Sequence, residues 1–451
     1  RGYIVRDDQQ EPIYLIGCIN EIGNRQKADN ITGLLGETSL EKYFKDSVST
    51  LNKGFLIHVG IDGFKMINEN YGWDYGDYVL RETASCILSC ISDSQKVYKI
   101  ASDEFIILDT TSSDMTTASN LYDHICKHIN QFIEENNFAA VFTISAGILP
   151  LPDLSQTGYA ELIKRTDFSL TMAKQHGRNC CYIFQEEEYQ NFLRIREITN
   201  ELHSAVNHGF RGFSIIFQPV MDIRQDKLTG AEVLIRFTSK KFGPISPAEF
   251  IPLLETSGLI IPTGRWFMRE AITACRKIRM QIPDFKVNIN VSQVQITKSD
   301  IITDLISEMD ASGLPPAAIV IELTESILLE KNEKAQNFLK ELKQAGLQLA
   351  LDDFGTGYSN FHYLSELHPD IVKIDRGFTS KAITDKKEYY LLNQFSNMIH
   401  NLGLKLCIEG IETEDELQKM KLLKPDYCQG FYWGQPCLYD EFRKYFVDVK
   451  R

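Results

Sequence analysis

At 451 residues the chain is long enough for two or three domains, each able to bury its own core. Its 43% hydrophobic and 24% charged residues match a soluble globular protein, and this segment is expected to carry no signal peptide and no membrane span, since no apolar run nears the roughly 20 residues a membrane helix needs. A formal net charge of -13 argues against a broad basic surface for duplex DNA or anionic lipid, so an anionic substrate would need metals or single Arg and Lys residues.

The chain begins at Arg1 rather than Met, which reads as a segment of a longer protein. Residues 1–22 look like two strands joined by a polar turn, and the helix-prone stretch "NRQKADN" follows. From 29 to 184 the pattern mixes helices and strands. "SLEKYFKDSVSTL" is helical, "GFLIHVGID" a buried strand and "GDYVLRETASCILSCI" a helix. "KVYKIASDEFIILD" follows as a hairpin, "AAVFTISAGILP" as a strand and "YAELIKRTDFSLTMAKQHG" as a helix. This predicts an α/β sandwich with helices packed on one sheet. Residues 185–211 then read as one connecting helix.

From 212 the rhythm becomes strict strand and helix alternation. The predicted strands are "SIIFQPVM", "TGAEVLIRF", "KVNINVS", "AIVIELTE", "QLALDDF", "IVKID", "KLCIEGI" and "YCQGF", with helices such as 261–280, 328–345 and 387–402. Eight strands in roughly 240 residues predict a (β/α)8 barrel of the TIM type over 212–447, whose site lies at the C-terminal strand ends. The ten cysteines form no C-x-x-C pair and have no ligand-like spacing to the nine histidines, so reduced thiols are expected and a zinc site is not.

The polar residues at those strand ends are Gln218, Glu232, Arg236, Asn290, Glu322, Asp352, Asp353, Lys373, Glu409 and Gln429. Carboxylates brought to one mouth repel and raise one another's pKa values. Divalent cations remove that conflict, and oxygen ligands without His or Cys suit Mg²⁺ or Mn²⁺. Adjacent strand residues point to opposite faces, so Asp352 and Asp353 share a task only if the strand ends there. They read as the hinge of a two-metal site, with the glycines of "FGTGYSN" letting the next loop approach closely. Lys373 is assigned to an attacking water and Arg236 to a substrate phosphate.

At these residues the sequence resembles the EAL family of cyclic di-GMP phosphodiesterases. The motifs are "QPV" at 218–220, "EVLIR" at 232–236, "NINVS" at 288–292, "ELTE" at 322–325, "DDFGTGYSN" at 352–360, "KID" at 373–375, "EGIET" at 409–413 and "QGFYWGQP" at 429–436. The resemblance implies hydrolysis of cyclic di-GMP to linear pGpG with two Mg²⁺ or Mn²⁺ ions. It implies Glu232, Asn290, Glu322, Asp352, Asp353 and Glu409 as metal ligands, Lys373 as the water-orienting lysine and Gln429 beside the nucleophilic water. Glu325 is implied as the glutamate holding the loop after Asp353. Gln218, Leu234, Arg236, Asp375, Glu412 and Pro436 are implied as substrate contacts. A cytoplasmic bacterial homodimer that binds neither DNA nor membrane through this segment is also implied. Because no family residue is lost, a competent enzyme is favoured over a non-catalytic cyclic di-GMP receptor.

Residues 29–184 resemble the GGDEF family, a nucleotide-cyclase-like α/β sandwich that makes the same dinucleotide from GTP. The matches are "DNITGL", "IDGFKMINENYGWDYGD", "ASDEF" and "AKQHGRN". Gly60 stands where the family has a metal-binding Asp, and Ala101 and Ser102 replace the two signature glycines. Gly36-Glu37 follows "TGL" where Asn-Arg is usual, and Ser92 and Gln95 stand at the inhibitory R-x-x-D positions. The domain is therefore expected to be cyclase-inactive. Asn68, Asp77, Asp103, Lys174 and Arg178 match nucleotide-contacting positions, so GTP is a candidate regulatory ligand. Residues 1–28 faintly resemble the end of a PAS sensor domain with its linker.

Overall fold

The computed structural model describes residues 2–6 and 12–17 in backbone alone, and 28–47, 53–112, 114–136, 138–151, 158–324, 333–354 and 368–446 in full. The chain divides into two compact units, Arg1–Leu193 and Arg194–Arg451, and the division falls inside the helix Glu186–Asn207 where the connecting helix was predicted.

In the N-terminal unit β1 (Gly2–Arg6) and β2 (Pro12–Gly17) form an antiparallel hairpin. The described part of "NRQKADN" is not helical: Ala28 bridges to Leu35, and Asp29 Oδ1 accepts from Thr32 N at 2.8 Å and Thr32 Oγ1 at 2.7 Å. An Asp side chain that satisfies the following amides favours a turn over a helix.

Six further strands are β3 (Leu35–Gly36), β4 (Phe55–Ile61), β5 (Gln95–Lys99), β6 (Glu104–Asp109), β7 (Ile144–Pro150) and β8 (Cys181–Ile183). Their order in the sheet is β3-β5-β6-β4-β7-β8, and β4 runs antiparallel to both neighbours. Period-two alternation sends Phe55, Ile57 and Val59 into a core with Val79, Ile87, Ile125 and Ile129, while Leu56 packs with Leu40, Phe44 and Leu162 on the other face. Helices thus cover both faces, which is why β4 is buried at every position and is apolar except at His58. Met115–Glu135, in a stretch where no element is predicted, is a helix of 21 residues. Its buried residues Ala118, Leu121, Tyr122, Ile125, Ile129 and Ile133 carry the 3–4 spacing of a helix face, and Asp114 caps it by accepting from Thr116 N.

The C-terminal unit is a closed barrel. Its strands are β9 (Phe213–Asp222), β10 (Lys227–Ser239), β12 (Lys286–Asn290), β13 (Ile319–Thr324), β14 (Gln348–Phe354), β15 (Ile371–Ile374), β16 (Lys405–Ile408) and β17 (Tyr427–Gln429). A short β11 (Gly243–Ile245) is appended to β10. From β10 through β17 the barrel neighbours are parallel, but β9 is antiparallel to both β10 and β17. The expected strict alternation is therefore corrected at its start, where β9 and β10 form a hairpin. Asp222 Oδ1 accepts from Arg224 N at 2.9 Å and Gln225 N at 3.0 Å, which closes a tight turn where a crossover helix was expected. Among the described residues no helix is long and apolar enough to cross a membrane.

Candidate active site

Inside the barrel the side chains stack in layers. Val220, Val320, Ala350, Ile371, Cys407 and Tyr427 make a buried apolar layer. Moving two residues along each strand keeps the side chain on the inner face. That step leads to Gln218, Glu322, Asp352, Lys373, Glu409 and Gln429, so the polar residues predicted at the strand ends share one level. Glu232 and Asn288 join them from β10 and β12, cross-strand partners in register. The alternate residues, such as Val233, Ile321 and Val372, face outward into the helix-packed cores.

Lys373 stands at the centre. Its Nζ lies 2.7 Å from Glu409 Oε1, 2.8 Å from Glu322 Oε1, 3.1 Å from Asp352 Oδ1 and 3.6 Å from Glu232 Oε2. The side chain is only 1% exposed. Burial disfavours its charge, but the charges of Glu232, Glu322, Glu409 and Asp352 outweigh burial and hold the ammonium well above its usual range. One ammonium does not balance four carboxylates. Burial pushes Glu322 well up, with Lys373 opposing and Glu232 and Asp352 adding to the rise, and it pushes Glu409 up to about 8. Glu232 is the exception: burial raises it, but Lys373 and the hydrogen bonds of Gln429 and Asn290 bring it below its ordinary value.

Amides orient the acids. Gln429 Nε2 donates to Glu232 Oε2 at 2.7 Å and to Gln218 Oε1 at 3.0 Å, and Asn290 Nδ2 donates to Glu232 Oε1 at 2.8 Å. Asn288 Nδ2 donates to Glu322 Oε1 at 2.8 Å. Sequence reasoning missed Asn288, although its period-two spacing from Asn290 carried the signal. Glu322 Oε2 is left buried without a hydrogen-bond partner.

The Asp352–Asp353 pair is explained by a break in the ladder. The β14–β15 register shifts between Leu351 and Phe354, and Asp353 sits at φ +55° in the left-handed region. Such a bulge re-aims a residue that plain alternation would send to the far face. Asp353 is half-buried; burial and then the charges of Asp352 and Asp375 push its carboxyl up, with Lys373 opposing.

Of the other predicted residues, Leu234 and Arg236 follow Glu232 on the same strand face. Arg236 Nη1 donates to Ile235 O at 2.8 Å, and burial lowers its pKa with Glu232 opposing. Asp375 caps the helix Arg376–Thr384 by accepting from Gly377 N, and exposed Glu412 pairs with Arg376 at 2.5 Å. Pro436 is half-buried beyond β17. Glu325 and the loop 355–360 lie outside the described residues. Gly430 fixes Gln429: a Cβ there would fall 2.0 Å from Ile411 O, so this close backbone approach needs glycine.

In the N-terminal unit Asn68 Oδ1, buried without a hydrogen-bond partner, packs against Gly76 beside Asp77. Asp103 accepts from Ser102 Oγ at 2.7 Å, Lys174 Nζ lies 3.5 Å from Glu104 Oε1, and Arg178 is exposed. Among the described residues no hydrogen bond or ion pair links Asn68, Asp77, Asp103, Lys174 and Arg178 to one another.

The barrel site fits hard divalent ions by its donors: carboxylates from four strands, an excess of negative charge and a buried Glu322 oxygen with no donor. Among the described residues no three His, Cys, Asp or Glu side chains are already arranged to hold a metal; the Lys373 ammonium stands between the acids.

A sheet covered on both faces, followed by a closed barrel whose mouth gathers buried acids around a lysine, defines a two-unit α/β protein with a TIM-type barrel. The chain belongs to the EAL family: the EAL domain model matches residues 199–436, and the model for the diguanylate cyclase GGDEF domain matches 26–180. Over 416 residues the chain is 28% identical to the bifunctional diguanylate cyclase/cyclic di-GMP phosphodiesterase MucR of Pseudomonas aeruginosa, covering 90% of this chain and 60% of MucR. It is 28% identical over 410 residues to the cyclic di-GMP phosphodiesterase PdeR of Escherichia coli, covering 90% of this chain and 61% of that protein. The solved structure of the PaMucR phosphodiesterase in complex with c-di-GMP matches with a TM-score of 0.51 at 28% identity, covering 55% of this chain and 99% of that one. The chain spans about 60% of the length of MucR and PdeR.

Proposed function

We propose that the barrel is a cyclic di-GMP phosphodiesterase that releases linear pGpG with the help of two Mg²⁺ or Mn²⁺ ions. The observation that carries this reading is the ring of Glu232, Glu322, Asp352 and Glu409 closed around buried Lys373 at the strand ends. Glu232, Asn290, Glu322, Asp352, Asp353 and Glu409 would hold the ions. When bound, such ions make water a better nucleophile and neutralise phosphate charge.

Water adds its oxygen to one phosphorus, the P–O3′ bond breaks, and the departing ribose oxygen takes a proton, which leaves a 5′ phosphate on pGpG. Held among the acids, the Lys373 ammonium would act as a fixed donor that orients the attacking water. Arg236, on the same face as Glu232, meets the phosphate as a permanent cation. Gln429 holds Glu232 in place and would sit beside the water. The cyclic di-GMP complex of the PaMucR phosphodiesterase and the names of the relatives support the substrate. We read the N-terminal unit as cyclase-inactive on account of Gly60, and the chain as a homodimer through its barrel.

Incubating the chain with cyclic di-GMP and Mn²⁺ or Mg²⁺, with and without GTP, tests the reading. pGpG is the expected product, and GTP that changes its rate identifies regulation through the N-terminal unit. Tight binding with no pGpG after hours overturns the enzyme in favour of a receptor.

A further inference from the structure

The two oxygens of Glu322, on β13, are unequally served. Oε1 accepts from Asn288 Nδ2 at 2.8 Å and lies 2.8 Å from Lys373 Nζ. Oε2 is buried with no hydrogen-bond partner. The Glu322 side chain is 0% exposed and Asn288 is 7% exposed, so these contacts are made away from bulk water. Hydrogen bonds to a carboxylate are strong in such surroundings, and two donors on one oxygen fix the orientation of the whole group.

The register explains which amide reaches which acid. On β12, Asn288 stands opposite Glu232 of β10 and Val320 of β13, while Asn290 stands opposite Glu322. Each amide nevertheless crosses to the diagonal acid: Asn290 Nδ2 donates to Glu232 Oε1 and Asn288 Nδ2 to Glu322 Oε1, both at 2.8 Å. The two asparagines thus divide the acids between them. Asn288 also lines a void of about 20 Å³ beneath the acids, together with Lys373, Thr229, Lys286, Cys407 and Tyr427. That void is polar and has room for one water.

We propose that Asn288 is a positioning residue for the divalent ions of the barrel: by occupying Glu322 Oε1 beside Lys373, it holds that carboxylate still and leaves Oε2 as the oxygen available to an ion. The inference rests on the two-metal reading above and adds to it a residue that meets neither ion nor substrate and acts through Glu322. The physical reason is preorganisation. A ligand carboxylate held by an outer partner loses little freedom when it binds a metal, and removing such a partner weakens metal binding. Asn288 is uncharged, so it orients Glu322 without cancelling the negative charge that attracts the ion.

Calorimetric titration of the metal-stripped full chain with Mn²⁺ tests it, with melting curves in EDTA to confirm that each variant is folded. The barrel's sites are those that Glu232→Gln weakens. Asn288→Leu keeps the volume but has no donor, and it is expected to weaken those sites by about 10- to 100-fold. Asn288→Ala also lacks the donor but opens space onto the polar void, where water can donate to Glu322 Oε1 instead, so a smaller loss is expected. A role in packing alone gives the opposite order, because Ala leaves the larger cavity. An Asn288→Leu chain that binds Mn²⁺ as tightly as wild type overturns the proposal, and so does a greater loss in Asn288→Ala than in Asn288→Leu. Should Asn288→Leu not fold, Asn288→Val, equally without a donor, carries the same expectation. A wild type with no Mn²⁺ site that Glu232→Gln weakens overturns the two-metal reading and this inference with it, whereas wild-type binding that the Asn288 variants share in full overturns this inference alone.

Discussion

At the scale of single residues, Lys373 decides the character of the barrel mouth. Removing this cation from among buried acids leaves like charges uncompensated, so Lys373→Met is expected to destabilise the protein in EDTA by about 3–5 kcal/mol. Urea midpoints compared with wild type check this, and an unchanged midpoint would mean the acids are already protonated. Glu232→Gln keeps the shape but places an amide N–H against the Asn290 or Gln429 donors. The fold should survive a loss of about 1–3 kcal/mol, while pGpG formation should fall by at least about a hundredfold. Thermal unfolding and product analysis on one sample separate the two effects. In the N-terminal unit, the hydrogen bond with His58 and the charges of His58 and Lys174 overcome burial and hold the Glu104 carboxyl down at about 2 against an ordinary 4.5. Because the folded value is the lower one, the stabilisation is present above pH 4.5 and drains away as pH falls toward 2. The melting-temperature difference between wild type and Glu104→Gln should therefore shrink over that window; a constant difference would show that Glu104 is not charged and paired.

At the scale of elements, two local departures from ideal geometry set the site. The register shift in β14 places Asp353 at a positive φ beside Asp352, and β17 ends on Gln429 where Gly430 lets the chain touch Ile411. Gly430→Ala forces those backbones apart. It should cost about 1–3 kcal/mol and slow pGpG formation through displaced Gln429, which a urea midpoint and a turnover assay check together. Normal values for both would show that the segment relaxes without moving Gln429.

For the whole molecule, the two units divide the chemistry unequally. The barrel retains every acid the EAL resemblance calls for among the described residues, whereas Gly60 removes one from the GGDEF-type unit. The chain is therefore expected to form no cyclic di-GMP from GTP with Mg²⁺ or Mn²⁺. Cyclic dinucleotide detected by chromatography from GTP alone would reverse that assignment. A net charge of -13 is consistent with a substrate drawn in by local cations and not by a broad basic surface.

Much of this was legible in the chain itself. β14 was predicted as "QLALDDF" and spans Gln348–Phe354, because a strand's apolar alternation and its terminal acids are local features. The residue set Glu232, Glu322, Asp352, Lys373, Glu409 and Gln429 followed from the same strand ends. Tertiary structure alone decided that β9 runs antiparallel, that Lys373 stands among the acids, and that Lys174 and His58 share Glu104. Those facts depend on contacts between residues far apart in sequence: a strand's pattern says which face is buried but not which neighbour it meets or in which direction.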